Sequence, residues 1–327
     1  MNKFLAYILF LLTAVYIIGY SFQLVADFGL KKIKFSNYED WSRLLQGTIN
    51  ADIVIVGSSR GFVGYDPKII GNSTNLKTHN LSYDAAGFKL QQSKLKIYLK
   101  HNHTPKIFVQ NIDLAHFNDN DVLPNQSQFI PFINDNDVSD LLSHYDLKYQ
   151  YLEFVPLLKY NNNFKVFKNG IVSSFTNKSA TEEVCDGFSP KSNTFKNDQY
   201  NIVKLKRYLK SIDNNEKIYK SKLNKILAFY EPLLADNSIL IFVWAPEYKA
   251  RLDPLFNPLY SPIKEQLNEL HKHNSSIYFI DLSHNEISQN KEFFYDTFHL
   301  NQNGAHVFSL KLSNEIKKIL KSRKYKI

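Results

Sequence analysis

The stretch Asp52-Ile53-Val54-Ile55-Val56-Gly57-Ser58-Ser59-Arg60 decides how the chain reads. Its four consecutive β-branched residues present no polar face. Such a run predicts a short strand covered on both sides, as in a parallel sheet. It ends abruptly in Gly-Ser-Ser, where glycine allows a tight turn and a close backbone approach. Two hydroxyls are thereby set at the carboxyl end of a core strand, which is where open α/β sheets bind ligands.

Working outward, the same signature returns. Further strands are expected at residues 76–81, 106–110, 238–244 and 276–280. Between them, apolar residues recur at helical spacing: Phe88, Leu95, Tyr98 and Leu99, then Leu223, Ile226, Leu227 and Tyr230, then Ile263, Leu267 and Leu270. A last helix starts near Asn303 and buries Val307, Phe308, Leu312, Ile316 and Ile319. Buried strands alternating with helices predict an α/β domain with a central, mostly parallel five-stranded sheet. From about 115 to 215 the pattern dissolves into Asn, Asp, Ser and Lys with short aromatic runs. So long a break predicts an insertion or lid within the domain.

Residues 4–26 carry no charge, a run of 23 that exceeds the roughly 20 needed to cross a bilayer as a helix. The run lacks a polar face and a convincing small-x-small cleavage site, so an uncleaved anchor is favoured over a signal peptide. Lys3 flanks it on one side and Lys31, Lys32 and Lys34 on the other, so charge does not specify its orientation. The expected organisation is an anchor at 1–26, a connector at 27–50, an α/β domain at 51–320 interrupted at about 115–215, and a basic tail at 321–327.

Among 327 residues, 44% are hydrophobic, enough to bury a large core. The net charge of +9 comes from lysines scattered over helices and loops. That scatter reads as solvated faces rather than a nucleic-acid stripe. A single cysteine, Cys185, excludes an intrachain disulfide and a multi-cysteine zinc site. The pairs His101/His103 and His271/His273 sit at predicted helix ends without carboxylate partners, and no glycine-rich phosphate loop is present. No metal and no cofactor are expected.

A serine attacks only when a base takes its proton and donors hold the oxyanion. Near the C-terminus stands Tyr295-Asp296-Thr297-Phe298-His299-Leu300-Asn301-Gln302-Asn303-Gly304. An Asp and a His three apart on one loop could form the orienting half of a catalytic triad.

With both blocks in view, the sequence resembles the SGNH (GDSL-type) hydrolases, whose first block is a strand followed by Gly-Asp-Ser and whose last is Asp-x-x-His. The resemblance implies a three-layer, flavodoxin-like α/β fold and a triad of Ser59, His299 and Asp296, with Ser58 as the alternative nucleophile. It implies an oxyanion hole from the backbone of Ser59, a backbone N–H at Ala85 or Gly87, and the Asn111 side chain. Ala85 stands where the family commonly has glycine, and the leading glycine of the third block is absent before Asn111. Arg60 and Glu247 are possible substrate contacts. The leading apolar helix, the Gly-Ser-Ser variant and the long insertion further resemble envelope proteins that move acyl groups on polysaccharides or teichoic acids. That implies a single-pass protein of the inner (cytoplasmic) membrane with its catalytic domain on the outer (periplasmic or extracellular) side. It also implies an acylated carbohydrate or envelope polymer as substrate, and a membrane-bound acyltransferase as a partner. The alternative is a catalytically degenerate SGNH-like accessory module of a polymer-modification assembly.

Overall fold

The computed structural model describes residues 2–113, 122–181, 183–195, 203, 207, 216–234, 237–255 and 260–323. Parts of the 115–215 stretch, and the end of the basic tail, lie outside the described residues. In chain order the elements are α1 (Asn2–Lys31), α2 (Asn37–Leu45), β1 (Ile53–Val56), α3 (Ser59–Gly64), α4 (Pro67–Thr74), β2 (Thr78–Asn80), α5 (Phe88–His101) and β3 (Ile107–Asn111). There follow α6 (Asn136–Ser143), α7 (Phe164–Phe175), α8 (Glu216–Leu234), β4 (Ile239–Trp244), α9 (Lys249–Leu255), α10 (Ser261–His273), β5 (Ile277–Asp281), α11 (Glu286–Gln289) and α12 (Gln302–Ser322). They group into two compact units, one of Met1–Gln46 with Val122–Val184 and one of Gly47–Asp121 with Cys185–Ile327.

The second unit is built on one sheet of order β2-β1-β3-β4-β5, every neighbouring pair parallel. This is the doubly wound, flavodoxin-like order, whose direction of winding reverses between β1 and β3. The strands are apolar on both faces because both are covered. On one side Ile53, Ile55, Ile107, Val109, Ile239, Ile241 and Val243 share a core with Ile70 of α4 and with Phe308, Leu312 and Ile316 of α12. On the other, Phe108 meets Tyr230 of α8 with ring centroids 5.4 Å apart. Trp244 meets Tyr260, at the mouth of α10, at 4.6 Å. Each fully buried side chain of this kind contributes about 1.5–3 kcal/mol. The result is three layers, helix–sheet–helix.

Local signals set the helix ends. Asp66 accepts from the N–H groups of Lys68 and Ile69 and is followed by Pro67 at the first turn of α4. Asn301 accepts from the Gly304 N–H and so starts α12 immediately after the Asp-x-x-His loop.

In the first unit, α1 is 30 residues long, continuing past the uncharged run to Lys31. By length and composition Lys3–Lys31 is long and apolar enough to cross a membrane. Its last turns are not lipid-like. Ala26 and Leu30 join Ile33, Ile130 and Tyr160 in a small core, against which Val166, Phe167 and Ile171 pack. Asp27 accepts from the Lys159 ammonium at 2.7 Å and the Tyr160 hydroxyl at 2.6 Å. The two helices α1 and α7 touch backbone to backbone: a Cβ on Gly29 would fall 1.8 Å from the Gly170 carbonyl oxygen, and one on Gly170 2.5 Å from that of Ala26. Only glycine fits at either position. Residues 35–39 then cap α2, with Ser36 accepting from the Glu39 N–H and Glu39 accepting in return from the Phe35 N–H.

Candidate active site

Ser59 is the first residue of α3, directly after the turn that ends β1. That places it at the carboxyl edge of the sheet, beside the β1–β3 switch point. Its Oγ lies 2.8 Å from His299 Nε2. His299 Nδ1 lies 2.8 Å from Asp296 Oδ2. The 240-residue separation is closed by the fold alone.

The loop before α12 is built to hold this pair. Asp296 Oδ1 accepts from the backbone N–H groups of Phe298 and His299, both at 2.7 Å. Tyr295 N–H donates to the His299 carbonyl at 3.1 Å, and Phe294 bridges Leu300. The Tyr295 ring lies almost parallel to the imidazole, centroids 5.2 Å apart, and the Phe298 ring meets it edge-on at 4.7 Å. Burial works to raise the Asp296 carboxyl. The hydrogen bond and charge of His299, with the two backbone donors, outweigh it and hold the carboxyl below its ordinary value. A carboxylate fixed on Nδ1 makes that nitrogen the donor and leaves the Nε2 lone pair facing the Ser59 hydroxyl.

The two serines of the turn are not equivalent. Ser58 is buried and donates to Asp113 Oδ2 at 2.6 Å. Asn111, at the end of β3, is also fully buried. Its amide donates to the same Asp113 oxygen at 3.0 Å, and its carbonyl accepts from the Tyr65 hydroxyl at 2.8 Å. Asn111 was expected as an open oxyanion donor; here its amide is sealed into a network behind the nucleophile turn. Tyr65 takes part as a neutral donor, because full burial pushes its hydroxyl far above the usual range.

The loop after β2 comes to the nucleophile turn. Tyr83 N–H donates to the Gly57 carbonyl at 3.3 Å. Asn80 holds α3 by donating to the carbonyls of Gly61 and Tyr65 at 2.9 and 3.0 Å. Ser82 Oγ sits 2.3 Å from where a Gly61 Cβ would be, so that glycine is needed for the approach. Farther along this loop Ala85 has φ of +54°, the left-handed conformation that glycine adopts without strain. Gly87 is the N-cap of α5.

Arg60 and Glu247 do not meet solvent, so the expected substrate contacts are corrected to a buried ion pair at 3.0 Å, with side chains 2% and 1% exposed. Arg60 also donates to the carbonyls of Ala245 and Pro246 at 2.5 and 3.2 Å. Glu247 accepts in addition from Arg251 at 3.0 Å, Tyr260 at 2.8 Å and Trp244 at 3.3 Å. The Arg251 guanidinium stacks on Phe298 at 4.1 Å from the ring centroid, and Arg60 lies 5.3 Å from the same ring. This charged cluster thus backs the residue preceding the base. Sequence reasoning missed Asp113, Asn80, Arg251 and Phe298. Only Asp113 left a signal, as a further polar residue, after Gln110 and Asn111, just past an apolar strand. Among the described residues no group of three or more His, Cys, Asp or Glu side chains could hold a metal ion.

No family model and no curated protein matches the sequence. Among solved structures, the chain is similar to a family two carbohydrate esterase from Clostridium thermocellum in complex with cellohexaose, at 11% identity and a TM-score of 0.34, covering 82% of this chain and 64% of that one. It is similar to a Streptococcus pneumonia protein provisionally described as a platelet activating factor, at 11% identity and a TM-score of 0.38, covering 95% of this chain and 98% of that one. An active site mutant of the Clostridium thermocellum esterase matches at 9% identity and a TM-score of 0.33, covering 81% of this chain and 63% of that one. The chain therefore spans less than two thirds of the length of the first of these structures. By its strand order, its parallel five-stranded sheet and its two helical layers, the chain carries a three-layer α/β fold of flavodoxin-like order.

Proposed function

We propose that the chain is a membrane-anchored serine esterase or O-acyltransferase acting on acylated carbohydrate or polymer of the cell envelope. The observation that carries this reading is the unbroken relay Ser59–His299–Asp296, with both links at 2.8 Å. The α1 helix supplies the anchor, with the catalytic unit on the outer side of the inner membrane. A membrane-bound acyltransferase is the partner class that would deliver acyl groups.

In the first half-reaction, His299 Nε2 takes the Ser59 proton as Oγ attacks the ester carbonyl carbon. The backbone N–H groups of Ser59 and of the Ala85–Gly87 loop hold the oxyanion. Collapse of the tetrahedral intermediate breaks the ester C–O bond, and His299 returns its proton to the leaving alcohol. In the second, water or a sugar hydroxyl gives its proton to His299 and attacks the acyl-serine. Ser59 leaves and is reprotonated by the imidazolium. Asp296 stabilises that imidazolium without taking its proton.

The test is turnover of a p-nitrophenyl acetate-type ester, paired with fluorophosphonate labelling of Ser59. Ser59→Ala should lose both labelling and turnover. His299→Ala should cut turnover on the order of 10⁴-fold or more while the circular dichroism spectrum stays native. Undiminished turnover in either variant would overturn the assignment. Acyl transfer to a sugar acceptor, measured against release to water, separates transferase from esterase.

A further inference from the structure

In the first unit, the segment following residue 150 runs alongside α1 within the stretch that would span the bilayer. Tyr16 Oη donates to the Phe154 carbonyl at 3.3 Å. A Cβ on Gly19 would lie 3.0 Å from Pro156 Cβ. Gln23 Oε1 accepts from the Leu157 N–H at 2.8 Å. Three successive contacts thus fix residues 154–157 against α1 from Tyr16 to Gln23.

This placement has a consequence for depth. A helix rises 1.5 Å per residue, so a hydrocarbon core of about 30 Å takes about 20 residues. Counted from Phe4, the first residue of the uncharged run, that length ends at Gln23. Residues 4–16 alone would cover only about 20 Å. If α1 spans the membrane, Tyr16 lies about 10 Å inside the boundary, and Phe154 beside it cannot remain in bulk water.

The side chains suit that position. Tyr151 and Phe154 are each 63% exposed, Val155 is 50% exposed, and Phe164 at the start of α7 is 74% exposed. Because Gly170 meets Ala26 and Ser174 meets Gly29, α7 runs in the same direction as α1. Phe164, six residues before Gly170, is therefore about level with residue 20 of α1. The backbone is equipped for a poorly hydrated site. Tyr151, Phe154, Leu158 and Tyr160 donate their N–H groups three residues back, and the Phe154 carbonyl and Leu157 N–H are taken by α1 side chains. Unpaired backbone groups would be costly there. Residues 146–178 hold five lysines, at 148, 159, 165, 168 and 178, against two carboxylates, Asp146 and Glu153, and Lys148 pairs with Asp146. Lys159 is committed to Asp27, while Lys165 and Lys168 are exposed on α7. That balance suits an anionic headgroup layer.

We infer that residues 151–155 and Phe164 form a second membrane contact, an apolar wedge seated in the outer headgroup and acyl boundary beside α1. Immersion should be shallow, about 5–10 Å, as for other interfacial elements, with Glu153 limiting it. The inference rests on the reading of α1 as a membrane span. A wedge of this kind fixes the rotation of α1 and the tilt of the first unit, which a single helix with a free linker would not.

The test is depth-dependent quenching in the full chain, with Cys185→Ser removing the native thiol. Single substitutions Phe154→Cys, Phe164→Cys and Leu12→Cys are labelled with an environment-sensitive fluorophore and reconstituted into phosphatidylcholine–phosphatidylglycerol vesicles. Leu12, exposed on α1, reports the span itself. The wedge predicts blue-shifted emission at 154 and 164, quenching by shallow spin-labelled lipids and protection from aqueous iodide. Quenching at position 12 with iodide-accessible probes at both 154 and 164 would overturn the wedge and leave the anchor standing. No lipid quenching at position 12 would overturn the anchor and the wedge together.

Discussion

Ser58 and Ser59 are chemically identical neighbours whose roles are separated by geometry. The first points to Asp113 in the interior and the second to the imidazole. Nothing in a Gly-Ser-Ser string encodes that difference. It arises because β1 ends one residue before the turn and α3 begins at Ser59, so successive side chains leave in different directions. The Asp-x-x-His block was more legible, because a three-residue spacing on one short loop lets the carboxylate reach both the imidazole and its backbone. Arg60 and Glu247 were misleading for the opposite reason. Polar residues just past strand ends look like pocket linings in sequence, yet here they form an ion pair in the interior. Ala85 is where a local rule is broken. Its left-handed backbone costs a non-glycine residue about 1–2 kcal/mol. Ala85→Gly should therefore recover stability of about 0.5–1 kcal/mol, part of the strain being offset by glycine's freer unfolded chain. Denaturant titration checks this. An unchanged or lower midpoint would mean that the loop does not hold this conformation in solution.

At the scale of elements, Glu247 binds several ends together. It sits just beyond β4, takes Arg251 from α9 and Tyr260 from the mouth of α10, and pairs with Arg60 of α3. Burial alone would raise its carboxyl, but Arg60, Arg251, Tyr260 and Trp244 overcome that and hold it below the ordinary 4.5. A carboxyl lowered by folding contributes stability that is fully present above its unfolded value and lost as pH falls through its folded value. Glu247→Gln should therefore cost about 3–5 kcal/mol at neutral pH, because Arg60 is left buried without its countercharge. The deficit relative to the parent should begin to shrink as pH falls below the ordinary 4.5, because from there down the stability that the lowered carboxyl confers is progressively lost. Urea midpoints of both proteins at neutral pH and at about pH 3.5 measure this. A deficit that stays constant across the range would mean that folding does not lower the Glu247 carboxyl. The strands flanking this cluster were readable from sequence because both of their faces are covered, which leaves unbroken apolar runs. The second strand, only Thr78–Asn80, was readable mainly from its place between turn and helix.

At the scale of the molecule, legibility divides along the two units. The second unit announces itself through strands and amphipathic helices. The first does not, because it is assembled from short turns and from contacts between segments more than a hundred positions apart, such as Gly29 with Gly170 and Asp27 with Lys159. An uncharged N-terminal run suggested a tether ending near residue 26, with a connector after it. Instead, the last turns of α1 are part of a folded core. The two ends of one helix therefore carry different duties, and truncation separates them. Deleting residues 1–20 removes the part of α1 whose apolar side chains are largely exposed, together with the Tyr16 and Gly19 contacts to residues 154 and 156. It leaves every member of the Ser59–His299–Asp296 relay in place, so the product should lose its bilayer-spanning segment and retain ester turnover. Deleting residues 1–31 also removes Ala26, Asp27 and Leu30. The buried Lys159 ammonium would then lack its carboxylate, a loss of about 3–5 kcal/mol before the missing apolar contacts are counted. Limited proteolysis of the two truncated chains should find α7 protected in the first and cleaved in the second. Equal protection in both would mean that the first unit holds together without the end of α1.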